Sequence, residues 1–275
     1  MSNLKKSVFV AGVARNCAAN LTRSLAVLDG LADVFDKLEY CFVTNDSTDD
    51  TAAMVSKWVS QRVNANCHQI DGLSANIKER TARIAACRNI CLAELKKSMF
   101  RGNSFDYFLV FDMDGVNDNL IGPQELNEAI QSAPADWVAL FANQRQVYYD
   151  IWALREERWC PTDCWEEVRN ATNKHFFRRL TWKRAKQKFV ISRQQHISPL
   201  TAPIKVESAF GGLGVYKVDA IGDALYIGLT ENGAQVCEHV SFNKEIGKAG
   251  SLYILPSLLN DAPSEHTVST LSTGR

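Results

Sequence analysis

The sequence has no excess of charge of either sign and no long apolar run. Its 275 residues include 31 Lys and Arg and 31 Asp and Glu, so the formal net charge is zero. A neutral chain gives no overall electrostatic basis for binding nucleic acid. No apolar stretch approaches the roughly 20 residues of a membrane-spanning helix, which argues against a transmembrane protein.

The N-terminus also lacks the apolar core of a secretory signal peptide, because Met1 to Lys6 leads directly into a short apolar stretch at Val8. We therefore expect a cytoplasmic protein. Its eight cysteines are scattered through apolar patterns, which predicts buried thiols in a reducing compartment. Cys160 and Cys164 have the spacing of half a zinc site, but no second pair with suitable spacing accompanies them.

The first half of the chain alternates between two kinds of apolar pattern. Short apolar runs predict strands at 7–14, 38–44, 67–70, 105–111 and 136–142, and helical spacing predicts helices at 16–31, 51–63, 77–97 and 124–132. This alternation indicates a parallel α/β sheet. Ligands bind at the carboxyl ends of the strands in such sheets, so the loops after Val13, Thr44 and Phe111 are expected to converge on one site.

Two carboxylates follow the apolar run 108–111. Side chains alternate along a strand, so Asp112 and Asp114 are expected to share one side where that strand ends. Such a pair repels unless a cation or a shared proton intervenes. A hard divalent metal with phosphate oxygens as co-ligands would hold both carboxylates. Alternatively, Asp112 is a nucleophile in phosphoryl transfer, or the pair is simply solvated in a turn.

The segment 110–116, Val-Phe-Asp-Met-Asp-Gly-Val, resembles the first motif of haloacid-dehalogenase-type phosphatases. In that family the first aspartate is the nucleophile and the second is a general acid. The motif usually lies near the start of the chain, whereas here an α/β pattern of more than one hundred residues precedes it. A phosphatase with Asp112 as its nucleophile is therefore kept as an alternative.

A resemblance to GT-A-type glycosyltransferases, whose metal motif is Asp-x-Asp, covers more of the chain. The segment 12–16, Gly-Val-Ala-Arg-Asn, is similar to the first nucleotide-contacting loop of that family. The segment 44–51 is similar to the second loop, where an acidic residue such as Asp46 meets the base or ribose. Arg83 and the pair Arg88-Asn89 resemble the helix that borders the sugar nucleotide. The resemblance therefore places Ala14, Arg15, Asn16, Asp46, Arg83 and Arg88 beside the donor.

These residues also have structural alternatives. Asp46 could be a helix N-cap or the first residue of an Asx-turn, and Arg88-Asn89 could lie on a solvated helix face. The resemblance itself implies an α/β, GT-A-like (Rossmann-like) fold with a mixed, mostly parallel sheet flanked by helices. It also implies Mn²⁺ or Mg²⁺ as cofactor, with Asp114 coordinating the metal and Asp112 contacting the donor ribose or a metal-bound water.

Two later segments narrow the resemblance. Residues 149–155 are similar to the Tyr-Asp-x-Trp-x-x-Arg segment of the fungal capsule-associated α-1,3-mannosyltransferases, and 203–212 to the strand and glycine turn that follow in that family. Asp150, Trp152 and Arg155 are candidates for an acceptor subsite, because aromatic faces stack on sugars and arginine binds hydroxyls or acids; a buried packing role is the alternative. Glu207 and Asp150 are candidates to face the acceptor hydroxyl. Gly211 and Gly212 would let the backbone approach a sugar closely, with an ordinary bulge or turn as the alternative.

Glu238 and His239 fall where GT-A enzymes place a Glu-Asp-like segment or a metal-binding histidine. By this resemblance His239 would complete the metal shell, and Glu238 would be the base or a sugar-positioning carboxylate. A helix cap is the alternative.

The segment 169–193 carries nine Lys or Arg interleaved with aromatic residues. It predicts either a contact with a phosphorylated acceptor or an anionic membrane surface, or a solvated amphipathic helix.

Together these features predict a metal-dependent glycosyltransferase that uses a nucleotide-diphosphate sugar and a glycan, phosphorylated, lipid-linked or other hydroxyl acceptor. The transferred sugar is expected to be a hexose, with mannose as the candidate. We expect one catalytic domain over 1–262, with the donor in 1–145 and the acceptor in 146–262, followed by a flexible tail at 263–275. A sugar- or nucleotide-binding module without turnover is the non-enzymatic alternative.

Overall fold

The structure is a computed structural model, and it describes residues 6–173 and 178–261. Strands and helices alternate through the first half of the chain. The strands are β1 (Ser7–Ala14), β2 (Lys37–Asn45), β3 (Ala65–Ile70), β4 (Tyr107–Asp112) and β5 (Trp137–Gln144). The helices are α1 (Ala18–Gly30), α2 (Thr51–Ser60), α3 (Leu73–Asn76), α4 (Arg80–Phe100) and α5 (Pro123–Gln131).

The second half begins with a helical hairpin and then adds three strands to the same sheet. Its strands are β6 (Ile204–Val206), β7 (Leu213–Lys217) and β8 (Ser251–Asn260). Its helices are α6 (Cys164–Asn173), α7 (Arg178–Phe189) and α8 (Glu238–Ile246). Short 3₁₀ turns lie at Leu31–Asp33, Ile191–Arg193 and Val218–Ala220.

The eight strands form one mixed, mostly parallel sheet in the order β3-β2-β1-β4-β7-β5-β8-β6. Strand β1 runs parallel to both β2 and β4, whereas β7 runs antiparallel to β4 and β5. From β1 the chain moves outward to β2 and β3, and α4 then returns it to β4 on the other side of β1. The strand order therefore reverses between β1 and β4, which is where open α/β sheets bind ligands.

The apolar run in β1 is explained by burial on both faces of the sheet. Val8 and Val10 pack into one apolar layer, and Phe9 and Ala11 pack into the other. Side chains of α1, α2 and α5 complete the first layer, and side chains of α4 and α8 complete the second. Complete burial of a side chain such as Phe9 contributes about 1.5–3 kcal/mol, so both layers hold the sheet in place.

The predicted elements of the first half are confirmed, with shifted ends. Helix α4 begins at Arg80 rather than at 77, because Ile77 is extended and follows the short helix α3. Strand β8 was not predicted. Its apolar run is interrupted by Pro256, which lies where the register between β5 and β8 shifts, so a missing backbone donor is tolerated there.

All eight cysteines are free thiols, and all except the half-buried Cys67 are buried, as predicted. None of the described helices combines the length and the apolar character that crossing a bilayer requires. The tail predicted at 263–275 lies outside the described residues, as do residues 174–177 of the basic segment.

Candidate functional site

The candidate site lies at the carboxyl edge of the sheet, between β1 and β4. Asp112 is the last residue of β4 and is in register with Val13 near the end of β1. Asp114 follows two residues later and is exposed. The sequence predicted that the loops after β1, β2 and β4 would meet. The loops after β1 and β2 are joined by hydrogen bonds, and Asn20 of α1, which follows the β1 loop, donates from Nδ2 to the Asp114 carbonyl at 2.7 Å.

The loop after β1 is bonded directly to the loop after β2. Asn16 adopts a left-handed backbone conformation, with φ of 51°, and its Oδ1 accepts a hydrogen bond from Thr48 N at 2.8 Å. Arg15 is exposed and donates from Nε to the carbonyl of Asp46 at 3.4 Å. Ala14, in contrast, is buried in the apolar layer beneath the loop. The side chain of Arg15 is thus open to solvent at the β1 end of the site.

Asp46 has a structural task at the edge of this site. Its carboxylate accepts hydrogen bonds from the backbone N–H groups of Gly72, Leu73 and Ser74 at 2.6, 3.1 and 2.8 Å. The bond from Ser74 is the main reason why the pKa of Asp46 is lowered. Asp46 therefore caps the start of α3. Its role as a helix cap was one of the predicted alternatives, but the capped helix is α3 and not α2, which follows Asp46 in the sequence.

The two arginines of α4 are placed very differently. Arg83 Nη1 donates to the carbonyls of Ile77 and Lys78 at 2.8 and 2.6 Å, so it holds the turn that precedes α4. Arg88 is buried on the face of α4 that is turned toward β4. Its neighbour Asn89 exchanges two 2.9 Å hydrogen bonds with the backbone of Tyr226. The solvated-face alternative for Arg88-Asn89 is therefore wrong.

Arg88 joins two carboxylates from distant parts of the chain. Its Nη2 donates to Asp112 Oδ1 at 3.0 Å, and its Nε donates to Glu238 Oε1 at 3.1 Å. The side chains of Arg88 and Glu238 are only 7% and 8% exposed. Burial raises the pKa of Asp112 to about 7, Arg88 opposes this rise, and the charge of Asp114 adds to it. The site therefore holds one buried cation among three acidic groups.

Tyr149 also interacts electrostatically with these acidic groups. Burial raises the pKa of Tyr149 well above its usual range, and the negative charges of Asp150, Asp112 and Asp114 raise it further. The segment that carries Asp150 therefore lies beside the end of β4. The sequence resemblance included Tyr149 as part of a motif but did not assign it a role.

The glycine turn before β7, formed by Gly211 and Gly212, is hydrogen-bonded to both Asp112 and Asp150. Asp112 N donates to the carbonyl of Gly212 at 2.9 Å. Gly211 N donates to Asp150 Oδ2 at 3.1 Å, and Asp150 Oδ1 accepts from Ala153 N at 3.3 Å. The structure thus brings Gly211, Gly212 and Asp150 next to Asp112, although they lie far apart in sequence.

Three fully buried amide side chains, those of Asn117, Gln144 and Asn260, hold this turn in place through hydrogen bonds. Asn260 Nδ2 donates to the Gly211 carbonyl at 2.8 Å and to Asn117 Oδ1 at 2.9 Å, and Gln144 Nε2 donates to the same carbonyl at 3.1 Å. Asn117 Nδ2 in turn donates to the carbonyls of Asp112 and Gly212 at 3.0 and 2.9 Å. Sequence reasoning missed these amides, because nothing in their local patterns indicates burial.

We expect Gly211→Ala to destabilise the protein by about 2–4 kcal/mol. Gly211 has φ of +66°, and an added Cβ would lie 2.8 Å from the Ala142 carbonyl and 2.7 Å from Gln144 Nε2. Left-handed strain costs about 1–2 kcal/mol and overpacking about 1–3 kcal/mol. Urea unfolding measures the change. Gly233→Ala is the matched control: its φ is +76° with open space around the Cβ, so only about 1 kcal/mol is expected.

His239 lies in an aromatic pocket behind Glu238. Its ring stacks on Phe210 at 3.7 Å between centroids and meets Tyr226 edge-on at 5.5 Å. Nε2 lies 3.5 Å from Glu238 Oε1, and both ring nitrogens are buried without a hydrogen-bond partner among the described residues. Burial and the nearby Arg88 hold the pKa of His239 well below its usual value. The imidazole is thus neutral, and its role as a metal ligand stays a prediction.

The remaining predicted residues lie farther from these contacts. Glu207 is exposed at the end of β6, and its backbone N–H donates to the Arg155 carbonyl at 2.8 Å. Arg155 forms a buried ion pair with Asp163 at 3.3 Å, and Trp152 Nε1 donates to the same carboxylate at 2.9 Å. The packing alternative therefore accounts for Trp152 and Arg155, while the role of Glu207 stays a prediction.

The residues present fit a metal whose coordination is completed by a substrate. In the part of the chain that is described, no group of three or more His, Cys, Asp or Glu side chains is placed to hold a metal ion. Mg²⁺ and similar hard cations are commonly bound through one or two carboxylates together with substrate phosphates. The exposed carboxylate of Asp114 beside Asp112 matches that mode, whereas a site formed by protein ligands alone does not exist among these residues.

Comparison with solved structures gives the fold a name. S. aureus TarS 1-349 aligns over 92% of this chain and 59% of its own, at 14% sequence identity and a TM-score of 0.50. The mannosyltransferase PcManGT from Pyrobaculum calidifontis, solved with GDP-Man and Mn²⁺, aligns over 95% of this chain and 59% of its own, at 15% identity and a TM-score of 0.49. No protein-family model and no curated protein matches the chain.

The chain therefore spans 59% of the length of these two structures. The likeness to TarS shows that the mixed sheet and its flanking helices form a GT-A, Rossmann-like fold, as the sequence resemblance predicted. At 14% identity this likeness establishes the fold only, so the chemistry has to be argued from the residues of the site.

Proposed function

We propose that the protein is a glycosyltransferase that moves a sugar from a nucleotide-diphosphate sugar to a hydroxyl acceptor, assisted by a divalent cation. One observation carries the proposal: Asp112 ends β4 at the reversal of strand order between β1 and β4 of a GT-A fold, with exposed Asp114 directly beyond it. The loops after β1 and β2 and the glycine turn at Gly211 and Gly212 surround this point.

The half at 1–145 would bind the donor. Arg15 offers an exposed guanidinium, and Asn16 and Asp46 shape the two loops that would hold the nucleotide. Asp114, together with Asp112, would hold Mn²⁺ or Mg²⁺. The ion would neutralise charge that develops on the departing nucleotide diphosphate. Buried Arg88 keeps Asp112 oriented and, by its positive charge, favours the ionised form of that carboxyl.

The half at 146–262 would bind the acceptor and supply the carboxylates that face its hydroxyl. Glu238 is oriented by Arg88 and is the leading candidate to accept the hydroxyl proton or to position the sugar. Asp150 is the second candidate; it accepts a hydrogen bond from Gly211 N and so lies beside the glycine turn. Glu207 is the third candidate. The likeness of segment 149–155 to fungal mannosyltransferases supports a hexose, with mannose tested first. The expected location is cytoplasmic.

A thermal-shift screen of nucleotide sugars with and without Mn²⁺ tests this function. A ligand at one hundred times its dissociation constant stabilises the native state by about 2.7 kcal/mol, which corresponds to about 5 °C in Tm for a chain of this size. We expect one nucleotide base to produce such a shift only when Mn²⁺ is present. Chelation with EDTA should abolish the shift and serves as the internal control.

Three other outcomes would contradict the proposal. A shift that is equal with and without metal, and no sugar transfer, would favour a binding module without turnover. Hydrolysis of aryl phosphates with phosphate trapped on Asp112 would favour the phosphatase alternative. The absence of a shift with every nucleotide sugar would show that the site at the end of β4 does not bind this class of donor.

A further inference from the structure

The charges of this neutral chain are strongly segregated. Residues 168–206 contain ten of its 31 Lys and Arg and none of its 31 Asp and Glu, which leaves 21 basic and 31 acidic residues elsewhere. Most of these ten lie on α7 or beside it. The molecule therefore has one strongly basic region on an otherwise acidic chain.

The described residues of this region form a helical hairpin, and much of the surface of α7 away from the buried Ala185 is exposed. Ala185 of α7 and Val168 of α6 are buried in the core, which fixes the orientation of both helices. Trp182 remains 42% exposed and Leu180 55% exposed on α7. Four exposed cations accompany them. We call this surface the basic hairpin face, and it consists of Arg179, Leu180, Trp182, Lys183, Arg184 and Lys188.

We propose that the basic hairpin face docks on the surface of an anionic lipid bilayer. Lys and Arg near such a surface are attracted by anionic headgroups, and exposed Trp and Leu side chains enter the boundary between headgroups and acyl chains. Arg184 and Lys188 also line an open pocket between α6 and α7, where a headgroup phosphate would meet both cations. Glu167 lines the same pocket, but its carboxylate is paired with Arg193.

The aromatic residues of this face favour lipid over nucleic acid. Single-stranded nucleic acids bind by stacking their bases on free aromatic faces. The Trp182 ring is already stacked on Trp165, with centroids 6.4 Å apart, and the ammonium of Lys186 lies 5.5 Å from its centroid. Leu180 offers only apolar contact, which suits an interfacial lipid layer.

The hairpin is anchored beside the candidate site. Asp163, at the start of α6, is bonded to Arg155 and Trp152, and Gln194, after α7, donates to the Tyr149 carbonyl at 3.4 Å. Tyr149 lies next to Asp150. Docking of the hairpin would therefore hold the candidate site close to the bilayer. Only this last step rests on the proposed glycosyltransferase function and points to a membrane-associated acceptor.

Vesicle flotation tests the docking. The full chain is mixed with phosphatidylcholine vesicles that contain or lack phosphatidylglycerol. We expect it to float only with the anionic vesicles and to be released in about 1 M salt, where charges are screened beyond about 3 Å. Each cation near the surface contributes about 1 kcal/mol, or about fivefold. The triple variant Lys183→Gln, Arg184→Gln and Lys188→Gln should therefore lower the partition coefficient about 100-fold.

A matched variant changes the same net charge elsewhere. Lys57→Gln, Lys96→Gln and Lys244→Gln alter three exposed lysines outside the hairpin and should leave flotation unchanged. Circular dichroism checks that both variants fold. Equal loss in both triple variants, no flotation of the parent chain, or binding to RNA without binding to vesicles would overturn the proposal. A donor thermal shift retained by the hairpin variant separates failure of docking from failure of the proposed function.

Discussion

Asp114→Asn is expected to lower sugar-transfer turnover by about 10³-fold while leaving stability almost unchanged. Asp114 is exposed, so its replacement by a neutral isostere removes charge without disturbing packing. Stabilisation of developing charge by a bound cation is worth several kcal/mol, and about 4 kcal/mol corresponds to about 10³ in rate. The measurement is the rate of nucleotide release with the donor found by thermal shift, over a Mn²⁺ titration.

Asp33→Asn is the matched control for this prediction. Asp33 is also exposed, but it lies in the 3₁₀ turn before β2, at the opposite edge of the sheet from the candidate site. Its replacement should leave turnover and metal dependence unchanged. Full Mn²⁺-dependent turnover in Asp114→Asn would contradict the assigned role of Asp114.

Arg88→Met is expected to lower the free energy of unfolding by about 3–5 kcal/mol. The change leaves Asp112 and Glu238 close together and without the guanidinium that contacts both. Removing one partner of a buried ion pair has this magnitude, because the remaining charge is uncompensated. Chemical denaturation measures the loss. Arg23→Met is the control: Arg23 is 78% exposed and lies 4.0 Å from Asp118, so a change below about 1 kcal/mol is expected.

The pH dependence of this loss has a definite sign. A carboxyl with a raised pKa in the folded state binds more protons folded than unfolded, so its contribution to stability falls as pH rises. The pKa of Asp112 is already raised to about 7 with Arg88 in place, and loss of Arg88 raises it further. The part of the Arg88→Met deficit that comes from Asp112 should therefore be largest above pH 7 and shrink as the pH is lowered to about 7. Adding Glu238→Gln should recover part of it, and a deficit independent of pH would contradict the charge argument.

Much of the sheet could be predicted from the sequence because its central strands are buried on both faces. The apolar runs of β1 and β4 and the helical spacing of α4 are local patterns that tertiary contacts do not override. Strand β8 escaped prediction because Pro256 interrupts its run, and its two partners, β5 and β6, are distant in sequence. Pairing of that kind has no local signature.

The candidate site could likewise be predicted from the sequence only in part. Convergence of the loops after β1, β2 and β4 followed from sheet geometry alone. The contact between Arg88 and Glu238 spans 150 residues, and the buried amides Asn117 and Asn260 meet across 143, so no spacing rule could predict either. The carboxylate of Asp46 was expected either to contact the nucleotide or to cap a helix. It accepts a hydrogen bond from Ser74 N of α3, and the position of α3 relative to Asp46 could not be predicted from the sequence.

The most direct test is a crystal structure of the protein with Mn²⁺ and the stabilising nucleotide sugar, with anomalous scattering to locate the metal. Our account predicts a manganese peak at Asp114, with the donor diphosphate bound beside it between the ends of β1 and β4. A nucleotide bound elsewhere, a metal far from Asp114, or a phosphorylated Asp112 would contradict it.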